Sequence, residues 1–248
     1  MLEVRRPLAS TWSRMQKRTK IITASIVAGA LVLGATAAIA GPIVYRDLIV
    51  GEADAAPRVT ASPSASSDPD AAVPTDLSGE WVVADGSFAG YRVDEVLNGT
   101  DVTVTGRTDE VDGTLTVDAL TLRSAEFTVD VASIETDSAN RDDYFRTTAL
   151  RTDEFPTATF VLTEPISVAE APSVGDVHQV TATGELTLAG VTKPVTVELE
   201  AVLDGTTGQV AGSIPITFAD YGVEAPNLGF VSVEPDGFVE FSLALERG

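Results

Sequence analysis

From Leu77 to the C-terminus, threonine and valine alternate with such regularity that few local structures besides strands are open to the chain. The segments read "DVTVTG", "GTLTVDALTL", "AEFTVDVASI", "ATFVLTEPI", "QVTATGELTLAG", "KPVTVELEAVL", "GSIPITF" and "GFVEFSLAL". Period-two alternation of β-branched and polar residues marks half-buried antiparallel strands. Turn signals stand among them at Asn98-Gly99, Asp112-Gly113, Ala189-Gly190, Asp204-Gly205 and Asp236-Gly237. The Asn-Gly and Asp-Gly pairs favour type I′ hairpin turns, whose two central residues need positive φ. The pattern predicts about eight short strands and one helix, hence a sandwich or a closed barrel.

The helix is expected within "NRDDYFRTTALRTDEFPTATF", residues 140–160. Asn140 suits an N-cap, and Asp142 and Asp143 would sit in the first turn, where the helix dipole favours negative charge. Tyr144, Phe145 and Leu150 can face one way while Arg146 and Arg151 face out, and Pro156 would end the helix. With arginines close by, the carboxylates read as a salt-bridged lid or plug more readily than as a catalytic pair.

The N-terminal third has another character. Residues 1–20 carry six basic residues against Glu3, and Ile21–Ala40 holds no charge at all. As a helix that run would be roughly 30 Å long, enough to span a bilayer's hydrocarbon core. The basic flank puts residues 1–20 in the cytoplasm and the folded part outside the cell. The expectation is a retained single-pass signal anchor in the cell membrane; the rival is a signal peptide cleaved near Ala40, after "AIA" at 38–40, giving a secreted protein. Residues 41–76 form a linker, and Gly51–Asp76, rich in Ala, Ser, Pro and Asp, is expected to be a disordered tether spanning about 28 Å. The folded part, 77–248, holds eight Arg/Lys against thirty Asp/Glu. That balance argues against nucleic acid as a partner. A pairing of two barrels into a homodimer is compatible with the sequence.

Reactive chemistry is sparse. There is no cysteine, and the single histidine, His178, lies in a loop-like stretch, "GDVHQVTATG", and is expected to face solvent. No G-x-S-x-G, His-x-x-x-His or D-x-D-x-D-G pattern occurs, so the sequence points to no enzyme, metal or cofactor. "TDEVDGT" at 108–114 reads as a hairpin turn. By alternation the inward-facing residues are Val102, Val104, Leu115, Val117, Phe127, Val129, Val131, Phe160, Leu162, Leu186, Leu188, Ile214, Ile216 and Phe218, joined by Phe145 from the helix. In a filled barrel these are core; in a hollow one they are the wall of a cavity.

"SIETDSANRDDYFR", "FPTATFVL" and "GELTLAGVTKPVTVELE" together resemble the YceI-like family, and "PITFADYG" and "VEFSLAL" are similar to its last two strands. The resemblance spans residues 80–246. It implies an all-β, lipocalin-like antiparallel β-barrel whose lumen holds a long isoprenoid lipid, such as a quinone or polyprenol tail, and it favours the cavity-wall reading of the inward residues. The basic leader, the apolar run and the preference for arginine over lysine are similar to the membrane-anchored actinobacterial branch. The resemblance breaks at one point. Many members carry a histidine in the first strand, in a pattern like F-x-V-x-H, where this chain has "FAGYRVDEVLNGT" with Asp94 or Glu95 near that place. An envelope interaction or stress-response module with a filled barrel and no lipid remains the alternative.

Overall fold

The computed structural model describes residues 53–59 and 76–248, apart from Ala171, Val174 and Gly205. The expected membrane anchor at 21–40 lies outside the described residues, as does most of the linker.

Ten strands follow in order: β1 (Gly79–Leu97), β2 (Thr100–Thr108), β3 (Val111–Asp118), β4 (Thr121–Asp130), β5 (Thr157–Leu162), β6 (Ile166–Ser167), β7 (Val177–Leu188), β8 (Val191–Asp204), β9 (Thr207–Thr217) and β10 (Val231–Arg247). All pair antiparallel, and β1 pairs with β10 from Trp81–Arg247 to Leu97–Val231, which closes the sheet on itself. Ten segments make only eight staves. β2 and β3 run in succession down the same edge of β1, against 89–97 and 79–82. They are separated opposite the bulge that β1 makes between Ala84 and Phe88. β5 and β6 likewise share the edge of β4. The result is an eight-stranded, up-and-down antiparallel barrel.

Asn98-Gly99 and Ala189-Gly190 are tight turns with positive φ at both positions. Two of the expected turns are not turns. Asp112-Gly113 lies inside β3 and Asp236-Gly237 inside β10, so "TDEVDGT" carries the chain straight on along β1 instead of reversing it. Those glycines are present for space: a Cβ at Gly113 would collide with the Phe127 ring, and one at Gly237 with Phe218.

The helix α1 spans Ala139–Tyr144 and continues as a π-helical turn over Phe145–Ala149. Its N-cap is Ser138, not Asn140. Arg151, in left-handed conformation, follows the helix well before Pro156. Asp142 accepts from the Thr136 amide (2.9 Å) and hydroxyl (2.7 Å), locking the chain that leads into the helix. Arg146 does not face out: it donates to the carbonyls of Ala132 and Ile134 and ties the helix to the end of β4.

Two seams of the wall are unzipped over half their length. β8 meets β9 only through 199–204, and β5 meets β7 only through 184–187 of β7. The first opening is plugged by the turn Phe218–Tyr221, with Tyr221 buried in the core. Inside the barrel, one apolar cluster gathers Val131, Ala158, Leu186, Leu188, Val197 and Ile214 beside Tyr221. Another, around Trp81, Leu115, Ala125, Leu243 and Leu245, lies toward the opposite end.

On the outside, residues 53–59 form a strap. This part of the expected tether is held against the wall because Arg92 and Arg107 donate to the carbonyls of Asp54 and Ala55, while Arg58 and the Val59 amide bind Glu200. Those anchors stand on β2, β1 and β8, with β10 and β9 between them. Four interstrand spacings come to about 19 Å, within the reach of seven extended residues. The strap runs beside Glu240, which points outward yet is only 2 % exposed. Its partner is Arg92, at 2.6 Å.

Removing one member of a buried ion pair strands the other charge, which typically costs about 3–5 kcal/mol. Arg92→Ala is therefore expected to lower unfolding stability by about 3 kcal/mol, whereas Arg123→Ala, which breaks the exposed pair with Asp118, should cost under about 1 kcal/mol. Urea unfolding of the two variants side by side checks the contrast.

Candidate functional site: the barrel lumen

Closure turns one face of every strand into a lumen wall, and the inward positions alternate as the sequence requires. Val102 and Val104 are buried on the inner face of β2, opposite Glu95 and Val93. Leu115 and Val117 on β3, and Phe127 and Val129 on β4, border the cluster around Trp81. Val131, Leu186, Leu188 and Ile214 are buried in the cluster nearer the helix, with Phe145, Phe160, Leu162 and Ile216 packed against it. Phe218 stands apart in the turn after β9, its ring over Gly237. Trp81, Tyr91, Val239 and Phe241 also share the inner face.

The rings on this face are not stacked across the middle. A Cβ at Gly106 would strike Tyr91, one at Gly113 would strike Phe127, one at Gly184 would strike Phe160, and one at Gly212 would strike Phe241. Each of these four rings therefore lies over a glycine of the adjacent strand, along the wall, in the manner of an aromatic covering a glycine across a sheet. Phe127, Val129, Phe160, Val239 and Phe241 point inward and yet are only half-buried. Each has hydrogen-bonded strands on both sides. Their remaining exposure can only be toward the lumen. An apolar interior that its own side chains leave unfilled is suited to a hydrocarbon guest.

The end nearest the helix carries charge, and Lys193, opposite Leu186 in the ladder, also lies on its inner face. Glu95 faces inward and is 5 % exposed, and Arg141 of α1 reaches it at 3.2 Å while also holding Asp137 at 2.5 Å. Asp94, its neighbour, faces outward and accepts from the Thr103 hydroxyl. Of the two acidic candidates near the family's histidine position, Glu95 is thus the one inside, and its partner is a lid residue. Tyr91 stacks on Phe145 with ring centroids 5.0 Å apart. Burial pushes the Tyr91 phenol well above the ordinary phenol range; nearby Arg141 opposes this, and Asp142, Glu95 and Asp137 add to it. Burial works against the Arg141 charge, but Glu95 and Asp137 outweigh it and its pKa is raised. This arrangement pins α1 to the first strand.

His178 is not in a loop. It is the second residue of β7 and shares the inner face with Ala182, Leu186 and Leu188, opposite Ala201. Its Nε2 is buried without a hydrogen-bond partner among the described residues. An unpaired buried nitrogen costs about 1–3 kcal/mol. The loop reading failed because Gly175 and Asp176 precede the strand, and polar Gln179 follows the histidine on the outer face.

A phenol held neutral by its surroundings stabilises the fold below its unfolded pKa of about 10, and that stabilisation is lost as pH rises toward the folded value. Stability is therefore expected to fall above about pH 10, and to fall less in Tyr91→Phe, which has no proton to lose there. Urea unfolding at pH 9 and pH 11 for both proteins measures the difference.

Comparison with known proteins follows the same lines. Residues 81–245 match the model of the YceI-like domain. A UPF0312 protein of Shewanella denitrificans is 35 % identical over 130 residues, 49 % of this chain, which spans 64 % of that relative's length. A UPF0312 protein of Shewanella sp. strain MR-4 is 36 % identical over 152 residues, covering 58 % of this chain and 73 % of the relative. A solved polyisoprenoid binding domain from Saccharophagus degradans, implicated in plant cell wall breakdown, superimposes with a TM-score of 0.58 at 23 % identity, covering 69 % of this chain and 99 % of that one. Shared fold, family motifs and a match over nearly the whole barrel lead to one conclusion: the chain belongs to the YceI-like family.

Proposed function

We propose that the protein is an extracytoplasmic carrier that holds one long isoprenoid chain, the tail of a quinone or polyprenol, along the barrel lumen. One observation carries this reading: Tyr91, Phe127, Phe160 and Phe241 are laid sideways over glycines, so the middle of a closed barrel keeps apolar surface free. The polyisoprenoid named for the Saccharophagus degradans domain is consistent with that chemistry. Ile21–Ala40 would moor the barrel at the outer face of the cytoplasmic membrane, beside the source of such lipids.

Energetics ask for little beyond the wall. At about 0.8 kcal/mol per buried CH₂, a forty-carbon chain would gain roughly 30 kcal/mol in ideal transfer, above the practical ceiling of about 18–21 kcal/mol for non-covalent affinity. The tail alone can supply binding after the ordering costs, and α1, pinned by Arg141 and Glu95, covers the end where it lies. The work done is sequestration and transfer, with no bond made or broken. A filled barrel serving only as an interaction module is the second reading, and the packed cluster around Trp81 favours it at one end of the lumen.

Organic-solvent extraction of the purified full-length chain, followed by mass spectrometry, is expected to release a prenyl lipid at close to one per barrel. Added prenyl lipid should raise the melting temperature of the emptied protein, as linkage requires for a ligand of the folded state. Gly113→Val and Gly184→Val should push Phe127 and Phe160 into the lumen, costing about 1–3 kcal/mol of stability through overpacking and removing that thermal response. A melting temperature indifferent to lipid in the parent protein, with nothing extracted, would leave the interaction module standing instead.

A further inference from the structure

We infer that His178 is the polar contact of the lumen, receiving an uncharged oxygen-bearing head group, an alcohol or a quinone carbonyl, of the lipid whose tail the barrel holds. The inference rests on the carrier reading and adds to it the direction in which the lipid lies.

Two independent features meet at this residue. The first is the orphaned nitrogen: Nε2 is buried, on the inner face, and unpartnered among the described residues. At the helix end Arg141 is held by Glu95 and Asp137, Asp142 binds Thr136, and Arg146 binds two carbonyls, while Lys193, on the inner face opposite Leu186, stands eight positions along β8 from Ala201, the partner of His178. A head group at those bonded groups would have to displace an existing bond; at His178 it would complete a missing one.

The second feature is the wall itself. β5 pairs with β7 only as far as Gly184, and the Thr163 and Glu164 amides both turn onto the Thr183 carbonyl where that pairing stops. β6, the continuation of β5, pairs with β4 and not with β7. Among the described residues no strand pairs with 177–183 on that side, so His178 stands beside an unpaired seam of the wall. The other unzipped seam is filled by Tyr221, and this one offers an imidazole.

Charge decides the class of head group. Lys193 is the one cation on β6 to β9, and it lies at the other end of β8 from Ala201, which pairs with His178, so the strands beside His178 supply nothing to pair with a diphosphate. Arg58, which reaches β8 from the strap, is spent on Glu200. An imidazole can donate to a carbonyl or accept from a hydroxyl, and either needs no counter-charge.

Because the chain has a single histidine, the untagged full-length protein labelled with ¹⁵N-histidine gives a one-residue report. It is titrated, in detergent, with a polyprenol, a prenylquinone and a head-less prenyl hydrocarbon of equal length, and the melting temperature is followed in parallel. The His178 Nε2 resonance is expected to move with the polyprenol, the quinone or both, and to stay in place with the hydrocarbon. His178→Phe should reduce the preference for a head-bearing lipid over the hydrocarbon by about tenfold, near 1.4 kcal/mol, and His178→Gln should restore part of it. If the lipids raise the melting temperature while the resonance stays still, or shifts equally with the hydrocarbon, the head lies elsewhere; this inference is overturned and the carrier reading stands. If none of the three raises the melting temperature, both are overturned.

Discussion

Everything in this molecule depends on the pairing of β1 with β10. Gly79–Leu97 and Val231–Arg247 are the longest strands, and their pairing joins the two ends of an antiparallel meander. Without it the sheet would be open, with two exposed edges and an apolar face in water. Closure abolishes the edges and converts that face into a private interior at one stroke. The buried pair Arg92–Glu240 sits on this junction, one member on each strand, with the strap of residues 53–59 laid across its outer face. The strap is thus used to cover the seam that makes the sheet a barrel.

The fold was legible because closure leaves a simple record: inward and outward residues alternate, and the alternation persists where the strands do. Less legible was the meaning of glycine. Asp112-Gly113 and Asp236-Gly237 look like hairpin turns, since a glycine after aspartate is the usual mark of positive φ. In the barrel the same residue answers a different need, room for a ring on the neighbouring strand. One letter serves two physical purposes, and only the partner strand, distant in sequence, tells them apart. The break between β2 and β3 was hidden for a related reason. It is matched by a bulge in β1 some twenty residues earlier, and a bulge carries no fixed residue signature.

The lumen residues were within reach of the sequence because alternation alone places Phe127, Phe160 and Leu186 on one face. What alternation does not provide is the rotamer. Whether Phe127 points across the barrel or lies along it depends on Gly113, and so the choice between a filled core and a cavity wall stayed open until the pairings were known. The polar inner residues were harder still. Glu95 reads as one acid among thirty, and only the proximity of Arg141, 46 positions away, makes it an inner residue with a partner. His178 was misplaced because its inward neighbours, Val180 and Ala182, are small and the outward Gln179 and Thr181 that follow it are polar. Such a stretch reads as a strand and as a loop with equal ease.

A barrel that is to hold a guest must satisfy two demands that oppose each other. Stability needs apolar groups packed against one another, and capacity needs some of them left unpacked. The barrel divides the two along its length and around its wall. Trp81, Leu115, Leu243 and Leu245 are buried together at one end, and Leu186, Leu188, Val197 and Tyr221 on one side toward the other. Between these clusters lie Phe127, Phe160 and Phe241, each folded onto a glycine and each only half-buried. Glycine in a strand is ordinarily a loss, since it packs nothing and costs entropy on folding. Here the aromatic ring covers it, so the strand regains its packing and the lumen is spared the ring. The clusters can then hold the fold together whether or not a guest is present, and a guest would add to a stability that does not depend on it. On the carrier reading, that independence would allow a lipid to be released without the protein coming apart.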